Sequence, residues 1–195
     1  MAAPALPAAP LQRPRMLVVG TSFASVAAAM AIIGMIGVYL TERAQVIGAG
    51  DTWLPDAVDL PLTQPNVMLF GLIMSSVTVQ WAVSAVRNDD RVNSYLALGL
   101  TLLVGFGYIN MTAYLWSKAG LDVDANVQSV LIYSITAAHI IMAVAAMVFV
   151  GLMAFRALAG GYDARQYDGI AASALFWHVM VAVYALIWIA IYVTK

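Results

Sequence analysis

Cysteine is absent from the 195 residues, which removes disulfides, iron–sulfur clusters, thiolate zinc sites and cysteine nucleophiles together. Charge is almost as scarce. Lys and Arg number 9, Asp and Glu 10, so 10% of the chain is charged and 63% is hydrophobic, against about 25% and about 45–50% in soluble domains. That imbalance excludes an ordinary soluble fold. The formal net charge of -1 supplies no basic field to gather phosphates, so no nucleic-acid partner is expected. The chain also lacks a Gly-rich phosphate loop, a zinc-type histidine pair and a serine nucleophile elbow, and nothing in it points to an enzyme acting alone.

What is present is apolar and long. Five stretches, at roughly 16–40, 66–87, 93–117, 128–155 and 169–193, are each long enough to cross about 30 Å of hydrocarbon as a helix. Their central parts contain no Asp, Glu, Lys or Arg. Unpaired backbone groups are costly in lipid, so the expected fold is all-α, an integral membrane bundle of five transmembrane helices. Residues 1–12, rich in Ala and Pro, read as a disordered cytoplasmic tail, and 13–195 as a single transmembrane domain. Pro55, Pro61 and Pro65 interrupt the one long connection, where Trp53 is expected as an interfacial anchor. Alternating the loops puts Arg13, Arg15, Arg87, Arg91, Arg156 and Arg165 on one side and Arg43, Lys118 and Lys195 on the other. That bias predicts the N-terminus inside and the C-terminus outside. Small residues (Ala27 to Ala29, Gly34, Gly37, Gly105, Gly107, Ala137, Ala138) permit close helix contact.

Ionisable groups inside a bilayer are the usual mark of function, and here only His139 and His178 qualify. At about 1.5 Å per residue, His139 lies about 16 Å from the outer start of the fourth span and His178 about 14 Å from the inner start of the fifth. Two imidazoles at similar depth on consecutive helices allow a bis-histidine haem b site. They equally allow polar packing, with each ring satisfied by Thr136, Tyr133, Asn110 or Gln80. The packing reading is preferred, because buried polar groups are ordinarily paired within the protein. Ser75, Ser76, Thr78 and Gln80 form a polar cluster in the second span, and Asn110, Thr112 and Tyr114 another in the third. Ser76 and Gln80 share a helix face, which is expected to point into the bundle. The 11 methionines scatter through all spans, a distribution that suits packing better than copper binding.

Several motifs go beyond composition. Arg13-Pro14-Arg15-Met16 with Val19-Gly20-Thr21, then Arg43-Ala44-Gln45 after the first span, resemble the start of the compact actinobacterial form of cytochrome c oxidase subunit III. The segment SSVTVQWAVSAVRNDD at 75–90 is similar to that family's SS-x-T-x-Q segment. YSITAAH at 133–139 resembles its histidine-bearing helix, and Trp177-His178 its Trp-His pair in the last helix. The resemblance covers nearly the whole chain. Several family positions differ: the membrane-embedded glutamate is alanine around Ala28 or Ala29, Gln-x-x-Glu-Tyr reads Asn110-Met111-Thr112-Ala113-Tyr114, a second histidine is Met142, and an aspartate is Val181.

The resemblance implies a non-catalytic accessory subunit of a haem-copper terminal oxidase in the bacterial plasma membrane. Such a subunit packs against subunit I and holds phospholipids, carries no cofactor of its own, and leaves haem and copper to its partner subunits. Its lipid or packing residues would include His139, His178, Gln80, Asn110, Trp177, Arg87 and Arg156, with the inner arginines near anionic headgroups. Two rival readings are a small haem b cytochrome using His139 and His178, and a subunit III-like component of a nitric oxide reductase.

Overall fold

The computed structural model describes residues 15–54, 58, 60–119, 126–164 and 166–194. The tail expected at 1–12, with Arg13, Arg165 and Lys195, lies outside them. Five helices follow in order: α1 (Met16–Gly48), α2 (Thr63–Arg87), α3 (Arg91–Lys118), α4 (Val127–Leu158) and α5 (Asp168–Ile187), which continues as a π-helical segment, Trp188–Val193. All five are long and apolar enough to span a membrane. The chain is a multi-pass membrane bundle, as the hydrophobic pattern requires.

The helix ends are set by local chemistry. α1 runs eight residues beyond the expected stop at 40, since Thr41, Glu42 and Arg43 tolerate a helix wherever water can solvate them. It ends near Gly50, whose φ of +86° suits a residue without a Cβ. α2 begins three residues early and carries Pro65 in its first turn, where a missing N–H costs nothing. Asp89 adopts φ 54°, a left-handed conformation that Asp tolerates, and Asp90 N–H closes the turn on Ala85 O at 2.9 Å. Asp90 then caps α3 by accepting from Asn93 N at 3.1 Å, and Asn126 caps α4 by accepting from Ser129 N at 2.8 Å, each satisfying an end donor.

α5 is the hub. It packs against α1, α2 and α4, while α2 lies along α3, and α4 contacts both α1 and α3. Half of its most apolar stretch is buried, against about a third or less in the other helices. Apolar residues also cover the outside: Phe23, Phe70, Ile141 and Phe155 are each about 70% exposed, as expected where lipid is the solvent.

At one end of the bundle, Arg15 pairs with Asp168 (3.4 Å) and donates to Tyr167 Oη (3.3 Å). Asp89 accepts from Ala164 N (3.0 Å), tying the α2–α3 turn to the α4–α5 loop. Arg15, Arg87, Arg91 and Arg156 therefore share one end, and Arg43 and Lys118 belong to the other. Trp53 is not an interfacial anchor. It is buried, donating through Nε1 to Tyr39 Oη at 2.9 Å, with the two rings edge to face at 5.2 Å. The loop folds back because a buried tyrosine hydroxyl on α1 offers the indole an acceptor.

Candidate functional site

The polar residues of the five helices fall into a group buried in the bundle and a group on its outer surface. The inner group centres on His139, which is fully buried. Its Nε2 lies 3.0 Å from Met180 O on α5, and a carbonyl can only accept, so Nε2 carries the proton. Nδ1 is then the acceptor, and Tyr108 Oη on α3 donates to it at 2.7 Å. Tyr184 on α5 closes the cluster, its ring centroid 5.3 Å from Tyr108 and 5.4 Å from His139. One imidazole thus joins three helices, with its tautomer fixed by its partners.

These partners are not the ones expected from the sequence. Thr136 bonds back to Ile132 O (2.7 Å), Tyr133 packs its ring on Trp116, and Asn110 is exposed and bonds to Phe106 O of its own helix. Tyr114 is also exposed, beneath Lys118. Of the cluster expected in α3, only Thr112 is buried, donating to Tyr108 O at 2.9 Å. Tyr108 and Tyr184, which sequence reasoning passed over, supply what Asn110 and Thr136 do not. The signal was available in principle: Tyr108 is followed at i+4 by Thr112, the one residue of the expected α3 cluster that faces inward.

A second inner contact joins α2 to α5. Trp177, fully buried, donates through Nε1 to Ser75 Oγ (2.8 Å), and Ser75 Oγ donates to Leu72 O (2.6 Å). The indole reaches α3 through its Cη2, which would stand 2.9 Å from a Cβ on Gly105. Gly105 is a close-approach glycine at the contact of α3 with α4 and α5, as Gly169 is at the start of α5. Around Gly34, Gly37 and Gly107 there is open space instead. Thr78 and Thr101 add a hydroxyl pair at 2.7 Å between α2 and α3.

His178 belongs to the outer group. Its Nε2 is 3.3 Å from Gln80 Oε1, at the edge of hydrogen-bond range, and Gln80 is exposed. Ser76 and Gln80 do share a face, but it is the outward face of α2 rather than the inward one. The inward stripe of α2 is Leu72, Ser75, Val79 and Ala82, and in a membrane both faces are apolar enough to hide which is which.

This arrangement bears on the haem b reading. The Nε2–H of His139 is committed to Met180 O, its Nδ1 lone pair to Tyr108, and His178 turns toward α2. The two imidazoles therefore do not face a common ligand position, and the pair does not fit a haem iron. Among the described residues no group of three or more His, Asp or Glu could hold a metal ion.

At the arginine end, Arg87 lies over the Tyr167 ring at 5.2 Å and Arg156 over Tyr162 at 5.3 Å. Burial pushes the Tyr162 hydroxyl up from its ordinary value, partly offset by the charge of Arg156. The tyrosines hold the guanidinium planes against the protein without neutralising them.

Comparison with known proteins agrees with this bundle. The model of the cytochrome c oxidase subunit III family matches residues 17–195. The cytochrome c oxidase subunit 3 of Corynebacterium diphtheriae is 30% identical over all of this chain and 93% of its own length. That of Tetraodon nigroviridis is 25% identical over 79% of this chain and 60% of its own, and that of Thermostichus vulcanus 21% identical over 82% and 78%. The chain spans about 60% of the length of the fish proteins that it matches. With a match from the first turn of α1 to the end of the chain, this protein belongs to the cytochrome c oxidase subunit III family.

Proposed function

We propose that the chain is a non-catalytic accessory subunit of a haem-copper terminal oxidase, packing against subunit I, with haem and copper held by the partner subunits. The observation that supports this most directly is the full-length likeness to the Corynebacterium diphtheriae protein named as subunit 3 of such an oxidase. The geometry is in keeping with it. His139, Trp177, Ser75 and Thr112, the polar groups that a membrane enzyme would direct at substrate, are instead bonded across or along helices, so their work is to fix packing.

In this reading the membrane is the bacterial plasma membrane, with the end that carries Arg15, Arg87, Arg91 and Arg156 at the cytoplasmic surface. Arg87 and Arg156, held on tyrosine faces, then contact anionic lipid headgroups. Changing both to Gln should lower the anionic phospholipid that co-purifies; an unchanged lipid content rejects the headgroup role.

Mild-detergent purification of the tagged chain from its native membrane, with mass spectrometry and a reduced-minus-oxidised spectrum, tests the main proposal. A co-purifying haem-copper subunit I with its haem signal is expected. A complex lacking any such subunit would overturn the proposal, and a nitric oxide reductase core in its place would reassign the partner.

A further inference from the structure

α2 touches α5 along its length but barely meets α1, so the sector of α5 beside α2 is left uncovered. A groove runs there between Gln80 and Val83 of α2 and Ala171, Leu175 and His178 of α5. It continues on the outward face of α2 past Ser76, Gln80, Trp81 and Ser84. Ser76, Gln80 and Ser84 are spaced four apart and therefore form one stripe along the helix. Among the described residues neither serine hydroxyl has a partner; Ser22 and Ser75 bond back to their own helix, whereas Ser94 and Ser129 are unpartnered but buried inside the protein. Gln80 Oε1 can only accept, so His178 donates to it through Nε2. That leaves His178 Nδ1 as an unmatched acceptor and the Gln80 amide hydrogens as unmatched donors.

Depth decides what can answer these groups. Measured from Arg87 at about 1.5 Å per residue, Gln80 is about 10 Å and Ser76 about 16 Å along the helix. Ser84 lies within a turn of the headgroup level, but Gln80 and Ser76 enter the middle of about 30 Å of hydrocarbon, beyond the reach of lipid headgroups. Acyl chains offer no hydrogen bonds, and polar groups at that depth find partners on other helices.

We propose that the α2–α5 groove is a docking surface for a transmembrane helix of a partner subunit, one that brings an acceptor to the Gln80 amide and a donor to His178 Nδ1. Ser76 and Ser84, with small side chains, let the incoming backbone approach α2 closely. The identity of the partner as an oxidase subunit rests on the function proposed above; the docking surface itself rests on the unmatched groups.

The absence of cysteine allows site-specific photocrosslinking in native membranes with the complex intact. Ser76→Cys and Ser84→Cys, each carrying a thiol-linked benzophenone, should give adducts to a membrane-spanning peptide of one partner subunit, identified by mass spectrometry. Their yield should be at least five-fold above that from Ile141→Cys on the outer face of α4. Gln80→Leu combined with His178→Leu should reduce co-purification of the same partner several-fold, with Ile141→Ala unchanged. Adducts to lipid alone, or spanning-peptide adducts no more frequent than from position 141, would overturn the docking surface even where an oxidase subunit still co-purifies. Adducts to a spanning peptide of a chain that is no oxidase subunit would uphold the groove and overturn the functional proposal.

Discussion

His139 and His178 are both membrane histidines, yet the structure gives them opposite situations, and substitution should separate them. His139→Leu removes both cross-helix bonds of the imidazole and orphans Tyr108 Oη in a dry interior, while Met180 O keeps its bond within α5; leaving a buried group unsatisfied costs about 1–3 kcal/mol. Tyr108→Phe removes one of those two bonds, worth about 0.6 kcal/mol in membrane helices, and leaves His139 Nδ1 as the unsatisfied acceptor while the bond to Met180 O stays. The order of unfolding midpoints in bicelles should therefore be wild type, Tyr108→Phe, His139→Leu. Equal midpoints would show that the tyrosine–imidazole contact carries nothing. Gly105→Ala places a methyl against the Trp177 ring, and overpacking of this kind costs about 1–3 kcal/mol; the same change at Gly107, which faces open space, should be silent. At this scale the sequence was half legible. It singled out His139, His178, Gln80 and Trp177, and it named Gln80 among four possible partners for the two imidazoles, of which the structure sets Gln80 beside His178. It could not pair His139 with Tyr108, because helix rotation is decided by packing across the bundle, and in lipid an apolar outward face carries no contrasting pattern.

Among the helices themselves, existence and order were readable from hydropathy alone, while ends were not. α1 outran its apolar stretch, and the π-helical end of α5 has no signature in residue type; Trp188 is held there by donating through Nε1 to Asn66 Oδ1 at 2.8 Å. The cap of α3 gives a pH prediction. Asp90 is held below the ordinary aspartate value of 3.8, first by the Asn93 side-chain amide and then by the Asn93 backbone N–H. A depressed folded value means that the stabilisation is complete above the unfolded value and disappears as pH falls through the folded one. Asp90→Asn keeps a capping side chain without a titration. Wild type and Asp90→Asn should therefore have midpoints that run parallel above about pH 4, with wild type falling relative to the variant below it. Parallel curves throughout would remove the carboxylate from the account.

For the molecule as a whole, the alternation of helix ends and the clustering of Arg15, Arg87, Arg91 and Arg156 support a cytoplasmic arginine end, and the cysteine-free background makes this directly measurable. In intact cells a membrane-impermeant maleimide should label Gly50→Cys and spare Asn88→Cys, both becoming reactive after lysis. The reverse pattern would invert the proposed topology. The spans and their antiparallel course followed from length and charge. The packing order, with the last helix at the centre, did not, because every helix is apolar enough to have been the hub.

That central position has a consequence for how the chain is made. A membrane protein is threaded into the bilayer from its N-terminus, and α1 finds its main contacts only on α4 and α5. Until α5 emerges, α2 and α3 can pair, but α1 has nothing to close upon except α4, and Trp177 cannot fill its place against Gly105. The bundle therefore stays open until α5 is delivered, and α5 locks it. A chain stalled before α5 has left the ribosomal exit tunnel should be a loose, protease-sensitive intermediate, whereas one with α5 (Asp168–Ile187) fully extruded is a closed bundle.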